Sequence, residues 1–284
     1  MAFLYFCAVK IQKSMKRTLF SFVVMVAVIL VSAAKCRQDE VVKQLTNSHV
    51  VWADSVAVSP EAQARIVYDL VFPIDGPEGV ADSVMAWLMP VVADSASLAP
   101  HADSLDFAKA IDGIGLKALS DDVAELETMV ADGHVVSTER ITKVAVAYED
   151  SLCITYLATI ESYLGGAHGS YAIIGATFRK ADGRRMSYSD LLADRTPVQV
   201  RNEIKEGLKT YFYVSTDSEL REQLFGKEDF TMSETEYANF PLPALGPWLE
   251  KDGVHIQYQQ YEIACYAAGM PAVVLPVSKY GKSK

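Results

Sequence analysis

Residues 248–276 read WLEKDGVHIQYQQYEIACYAAGMPAVVLP, and the rest of the chain has to fold around them. Asp252-Gly253 is a turn signal, and Val254, Ile256 and Tyr258 after it alternate onto one face of a strand. An irregular corner runs from Gln259 to Met270, followed by a last apolar strand from Ala272 to Leu275. The corner carries Tyr261, Glu262, Tyr266 and Gly269. Tyrosine hydroxyls need partners when their rings pack, so the corner must lie against another part of the fold. Its expected counterpart is the glycine-histidine turn Tyr163-Leu-Gly-Gly-Ala-His-Gly169, with Gly165, Gly166 and His168 at its centre.

Upstream, Val50 to Val58 and Arg65 to Ile74 read as strands, the second alternating Ile66, Tyr68, Leu70 and Phe72 with more polar neighbours. Val80, Val84, Trp87, Leu88 and Val91 follow helical spacing, with Pro90 limiting the extension. Residues 94–104 are short and polar, hence a loop. A helix from Leu105 to Val130 is expected to break near Gly113 and Gly115, so that Asp121 and Asp122 stand at a helix start. Val135 to Ala147, Ser151 to Tyr163 and Ser170 to Arg179 follow as strands joined by short connections, which implies antiparallel pairing. Thr196-Pro197-Val198-Gln199 is a capping box with Pro at the first helical position, and Thr216 to Glu219 repeats the box. Residues 227–247 read as irregular. Strands and helices in separate blocks give an α+β class, an antiparallel meander with helices packed on it and a C-terminal hairpin completing it. The expected division is a leader over 1–35, an N-terminal α+β domain over 36–185, and a C-terminal one over 186–284.

The 284 residues include 26 basic and 36 acidic ones. Lys10, Lys13, Lys16, Arg17 and Lys35 precede Cys36 and no acid does, so residues 36–284 hold 21 basic and 36 acidic groups, a net charge of -15. Such a surface repels phosphate, and nucleic acid is not an expected partner. It attracts cationic partners. Met15-Lys-Arg, followed by the apolar or small run from Leu19 to Ala33, is an export signal, with Met15 as the expected start. The run is shorter than the roughly 20 residues of a spanning helix. Cys36 is a lipidation candidate, although Lys35 stands where lipoprotein signals carry a small residue; a lipid anchor and a soluble exported protein both remain open. Cys153 and Cys265 are expected as buried free thiols, with pairing in an oxidising compartment the alternative.

Gly165-Gly-Ala-His-Gly169, the segment Asp182-Gly-Arg-Arg-Met-Ser-Tyr-Ser-Asp-Leu-Leu192 and Tyr261-Glu-Ile-Ala264 through Gly269 resemble a bacterial envelope family. Its members form the outer part of the RsiV-type anti-sigma factor and the noncatalytic N-terminal region of certain peptidoglycan deacetylases, drawn as adjacent domains of unknown function. The resemblance covers most of residues 45–280. It implies an extracytoplasmic α+β module without enzymatic activity and, in the anti-sigma members, recognition of lysozyme. Only a short basic leader precedes the apolar run and no metal-dependent catalytic block follows, so the expectation is the binding module alone.

The ligand-binding candidates are Gly165, Gly166, His168, Tyr261, Glu262 and Tyr266. The expected ligand is a cationic wall hydrolase or a peptidoglycan fragment, and the only membrane attachment would be lipid at Cys36. A rival reading is a hydrolase using His168 with an acidic partner such as Glu262. A third is a structural lipoprotein. No cofactor is expected. His49, His101, His134, His168 and His255 show no close ligand spacing, so no metal site is expected either.

Overall fold

The computed structural model describes residues 44–93, 104–226 and 231–277. The leader, Cys36, all but the last residue of the stretch 94–104 expected as a loop, and His101 lie outside the described residues. Among the described residues, no helix is long and apolar enough to cross a membrane.

Strands β1 (Thr46–Ser59) and β2 (Ala62–Asp75) form an antiparallel hairpin. Val50 and Trp52 on β1, and Ala64, Ile66, Tyr68, Leu70 and Phe72 on β2, are buried on one face, as the period of two dictates. Helices α1 (Val80–Val92) and α2 (Ser104–Ala131) cover that face, and Phe72 meets Phe107 of α2 at 4.4 Å between ring centres. The two helices carry the chain across to β3 (Thr138–Glu149), which pairs with β2 in parallel. Strands β4 (Cys153–Tyr163) and β5 (Ser170–Arg179) then add antiparallel neighbours, giving a five-stranded sheet in sequential order. The meander is therefore antiparallel, while the parallel pair in front of it follows from the two-helix crossover, which a hairpin turn cannot replace.

Helix α2 runs unbroken through Gly113 and Gly115, contrary to the expected interruption. A Cβ on Gly115 would lie 2.6 Å from the Trp52 ring, whose Nε1–H donates to Asp112 Oδ1 at 3.0 Å. The glycine makes room for an indole sixty-three positions away, and burial of Phe107, Ile111, Leu119 and Leu126 outweighs its propensity cost of about 1 kcal/mol. Because the helix is continuous, Asp121 and Asp122 do not start one. Asp121 pairs with Lys117, and Asp122, almost fully buried, accepts both Arg140 Nε–H at 2.9 Å and Arg140 Nη2–H at 2.7 Å.

The C-terminal part builds a second hydrophobic cluster. Helix α3 (Tyr188–Leu191) leads into α4 (Pro197–Phe212), which starts at the Thr196–Gln199 capping box and buries Val200, Ile204 and Leu208. Short helices α5 (Asp217–Glu222) and α6 (Glu234–Ala238) follow. The second was not expected: Ser233 and Glu236 form a capping box inside a stretch that reads as irregular. Strands β6 (Trp248–Glu250), β7 (Gly253–Gln257) and β8 (Ala272–Leu275) make a three-stranded antiparallel sheet against α4, where Gly207 admits the Val273 side chain. The architecture is α+β, a five-stranded sheet with helices and a second, antiparallel sheet at the C-terminus.

Strand β6 packs against β5 and joins the sheets. Leu249 N–H donates to Thr177 Oγ1 at 2.8 Å, and Thr177 Oγ1 shares a buried 2.8 Å hydrogen bond with Thr155. The Trp248 ring lies over Gly175, where a Cβ would come within 2.1 Å of it.

Candidate functional site

The fold brings the C-terminal corner and the glycine-histidine turn into contact. The His168 ring stacks on Tyr266, 3.7 Å between centres and 20° between planes. His168 Nδ1 lies 3.1 Å from Gly169 O, and Nε2 lies 3.2 Å from Tyr261 Oη. A carbonyl only accepts, so Nδ1–H donates to Gly169 O, and Nε2 faces the Tyr261 hydroxyl. Tyr266 Oη–H donates to Gly169 O at 3.1 Å. Both tyrosine hydroxyls are therefore answered from the turn, as the packing argument requires.

The glycines play unequal parts. Gly165 has φ 87°, in the left-handed region, and a Cβ on Gly169 would lie 2.9 Å from Ser162 O. Gly166 has open space where its side chain would be.

Glu262 holds the corner itself. Its Oε1 accepts from Ala244 N–H and its Oε2 from Gln259 N–H, each at 2.7 Å. His168 and Glu262 are thus not hydrogen-bonded to each other; each is engaged by neighbouring segments. Tyr261 sits at φ 64° in the turn closed by Glu262 N–H donating to Gln259 O at 3.1 Å. Glycine is the ordinary occupant of such a position, so a half-exposed tyrosine there bears backbone strain.

The preceding glutamines tie the corner to β5. Gln259 accepts from Ile173 N–H at 3.1 Å and donates to Ile173 O at 2.9 Å, while Gln260 accepts from Tyr171 N–H at 3.0 Å. Beside this junction opens a groove of about 310 Å³. Tyr163, Tyr171 and Tyr266 line it together with Gly169, Glu139 and Glu161. Glu139 is paired with Arg65, whereas Glu161 has no cationic partner among the described residues. Gly169 and Tyr266 place the glycine turn and the corner on the rim of one opening.

The Asp182-to-Leu192 segment serves the junction between the two parts of the fold. Gly183, at φ 70°, packs against the backbone of Gly79 at the start of α1, and Arg185 Nη2–H donates to Gly175 O and Leu245 O. Hydrogen bonding to Arg179 lowers the Asp182 carboxyl to about 2. Arg184 likewise holds Asp190 below the usual carboxylate range, and Asp190 completes a capping box with Ser187. Burial pushes the Tyr258 hydroxyl up; it donates to Pro241 O at 2.7 Å.

Cys153 and Cys265 are not joined in a disulfide. Cys153 is buried as expected, but Cys265 is exposed, because the corner turns it outward just before the 3-10 turn Tyr266–Ala268. Sequence reasoning also missed a cluster. Glu250, Asp252 and His255 stand together on the β6–β7 hairpin. Spacing between histidines and cysteines gives no hint of it; the signal is one histidine with two carboxylates across a tight turn.

Residues 189–278 match the DUF3298 family model. That model is described as a protein of unknown function. The match takes in α4 and the whole corner, hence Tyr261, Glu262 and Tyr266, and leaves Gly165, Gly166 and His168 outside. A member of the DUF3298 family from Bacteroides fragilis NCTC 9343 has a similar solved structure: TM-score 0.62 at 16% identity, covering 83% of this chain and 91% of that one. A DUF3298 family protein from Pseudomonas aeruginosa PAO1 gives a TM-score of 0.49 at 12% identity, over 82% of this chain and 90% of that one. None of the curated proteins matches. At this identity the likeness to the Bacteroides protein shows a shared fold.

Proposed function

We propose that the protein is an exported, envelope-associated binding module without catalytic activity, and that it recognises a cationic wall hydrolase such as lysozyme or a peptidoglycan fragment. The observation that carries this reading is the groove between the glycine turn and the tyrosine corner. Three tyrosines offer faces to a sugar ring, a peptide or a cationic side chain, and Glu161 offers a carboxylate that has no cationic partner among the described residues. The acidic balance of residues 36–284 would draw a basic protein towards that face. The non-catalytic part is supported by how the two groups best suited to acid-base work are used. His168 faces the Tyr261 hydroxyl of the corner through Nε2 and the Gly169 carbonyl of its own turn through Nδ1, and Glu262 holds two backbone amides. Export is supported by the basic start and apolar run of the leader, and the anti-sigma and deacetylase resemblance agrees with it.

The test is retention of lysozyme and of purified muropeptides on the immobilised protein at low and moderate salt. Retention of either by the wild type, lost in Tyr266→Ala and weakened in Glu161→Lys, is the expected result. Failure to retain both, or retention indifferent to both substitutions, overturns the reading. Mass spectrometry of the mature N-terminus from the producing cell tests export: a chain still beginning at Met1 or Met15 contradicts it.

A further inference from the structure

We propose that Glu250, Asp252 and His255 form a binding site for a first-row divalent transition-metal ion, on the opposite limb of the C-terminal stretch from the tyrosine corner. Taking one donor atom from each residue, the three donors lie within 4.8 Å of one another. His255 Nε2 stands 2.8 Å from Asp252 Oδ1, and His255 Nδ1 stands 3.9 Å from Glu250 Oε1. Donors around a four- or six-coordinate ion are roughly 3 Å apart, given metal–ligand distances near 2 Å, so small rotations, freest at the exposed Asp252 side chain, complete the set. Two carboxylates and a neutral imidazole carry a charge of about -2, which matches a divalent cation. Nitrogen beside oxygen favours zinc, nickel or copper over magnesium or calcium, which prefer oxygen alone.

What distinguishes this set from an ordinary surface ion pair is the support behind it. Trp248 Nε1–H donates to Glu250 Oε1 at 2.8 Å, and the Trp248 ring stacks on His255 at 5.6 Å and 21°. Trp248 is itself almost fully buried, seated on Gly175 of the large sheet. The hairpin is pinned by Glu250 pairing with Gly253, whose missing side chain admits the Leu275 carbonyl. Ligand carboxylates and imidazoles held by outer hydrogen bonds and packing are the arrangement that raises metal affinity. The exposed Asp252 side leaves the remaining coordination positions to water or to a donor from another molecule.

Trp248 makes the test direct, because a bound nickel or copper ion would quench the indole that touches its ligands. Tryptophan emission is titrated with nickel chloride, and zinc and magnesium chlorides are added as competitors. The expected result is saturable quenching that zinc reverses and magnesium does not, weakened by about tenfold or more in His255→Ala and by a smaller factor in Asp252→Asn. Asp252 is exposed and His255 half-buried against Trp248, so far-ultraviolet circular dichroism verifies that the variants fold. Quenching that rises linearly without saturating, or that is the same in His255→Ala as in the wild type, overturns the site. Neither result bears on the groove, which lies elsewhere on the molecule and is tested by its own ligands.

Discussion

The side-chain amide of Gln259 is hydrogen-bonded to both backbone groups of Ile173 on the outermost strand of the large sheet. One residue of the corner does what a further strand would do: it satisfies the edge and fixes the corner's position along β5. Gln259→Ala should therefore cost about 1–3 kcal/mol, because two partly buried backbone groups lose their partner. Gln259→Glu keeps an acceptor for Ile173 N–H but sets an anion against Ile173 O, so it should not rescue the loss. The urea midpoints of the three proteins check this, and faster exchange of the Ile173 amide in both variants locates it.

Gly113 and Gly115 differ in a way that the sequence does not show. Gly113 has open space where its Cβ would be, whereas Gly115 is pressed against Trp52. Gly113→Ala should raise stability by about 1 kcal/mol through helix propensity alone. Gly115→Ala gains the same term but drives the indole away from Asp112. Its expected outcome is a net loss of about 1 kcal/mol or more. Thermal unfolding of the two variants should thus shift in opposite directions.

That pair also explains what was legible in the sequence. Local chemistry was: β5 runs over the expected Ser170–Arg179, β8 over Ala272–Leu275, and the Thr196–Gln199 capping box starts α4. The contact between the tyrosine corner and the glycine turn was legible too, since hydroxyls in a packed corner must find partners. Properties set by distant partners were not. Gly115 reads as a helix breaker until Trp52 is placed beside it, and Asp122 reads as a dipole-stabilising residue until Arg140 reaches it from β3. The parallel pairing of β2 with β3 depends on the path of two helices, and α6 has a capping box but too few periodic residues to stand out among prolines. The same holds for the site. The six candidates were named from the two segments, but Glu161, Tyr163 and Tyr171 line the groove through sheet register, which local patterns do not encode.

Tyr258 and Tyr156 give the protein an alkaline limit. Burial raises both hydroxyls above their ordinary value. A group whose folded value is raised contributes stability that is complete below the unfolded value, about 10 for tyrosine, and is lost as pH climbs beyond it. The urea midpoint should hold steady from pH 7 to about 9 and fall above about 10. Tyr258→Phe should cost about 1 kcal/mol at neutral pH by removing the bond to Pro241 O, and its deficit should shrink above about pH 10, where only the wild type has this hydroxyl to ionise. A deficit that stays constant across that range would show that Tyr258 does not set the limit.

Tyr261 offers the sharpest separation of structure from binding. Its φ of 64° costs a side-chain-bearing residue about 1–2 kcal/mol and a glycine almost nothing. In an ordinary exposed loop, alanine is the more stabilising replacement, because glycine loosens the unfolded chain. Here the order should reverse. Tyr261→Gly and Tyr261→Ala both lose the bond to His168, but only the alanine keeps the strain, so the glycine variant should be the more stable by about 1 kcal/mol. If the tyrosine is retained for recognition, both variants should lose ligand retention to the same extent despite their different stabilities. Retention that instead followed stability would mean that Tyr261 acts on the ligand only by holding the corner in place.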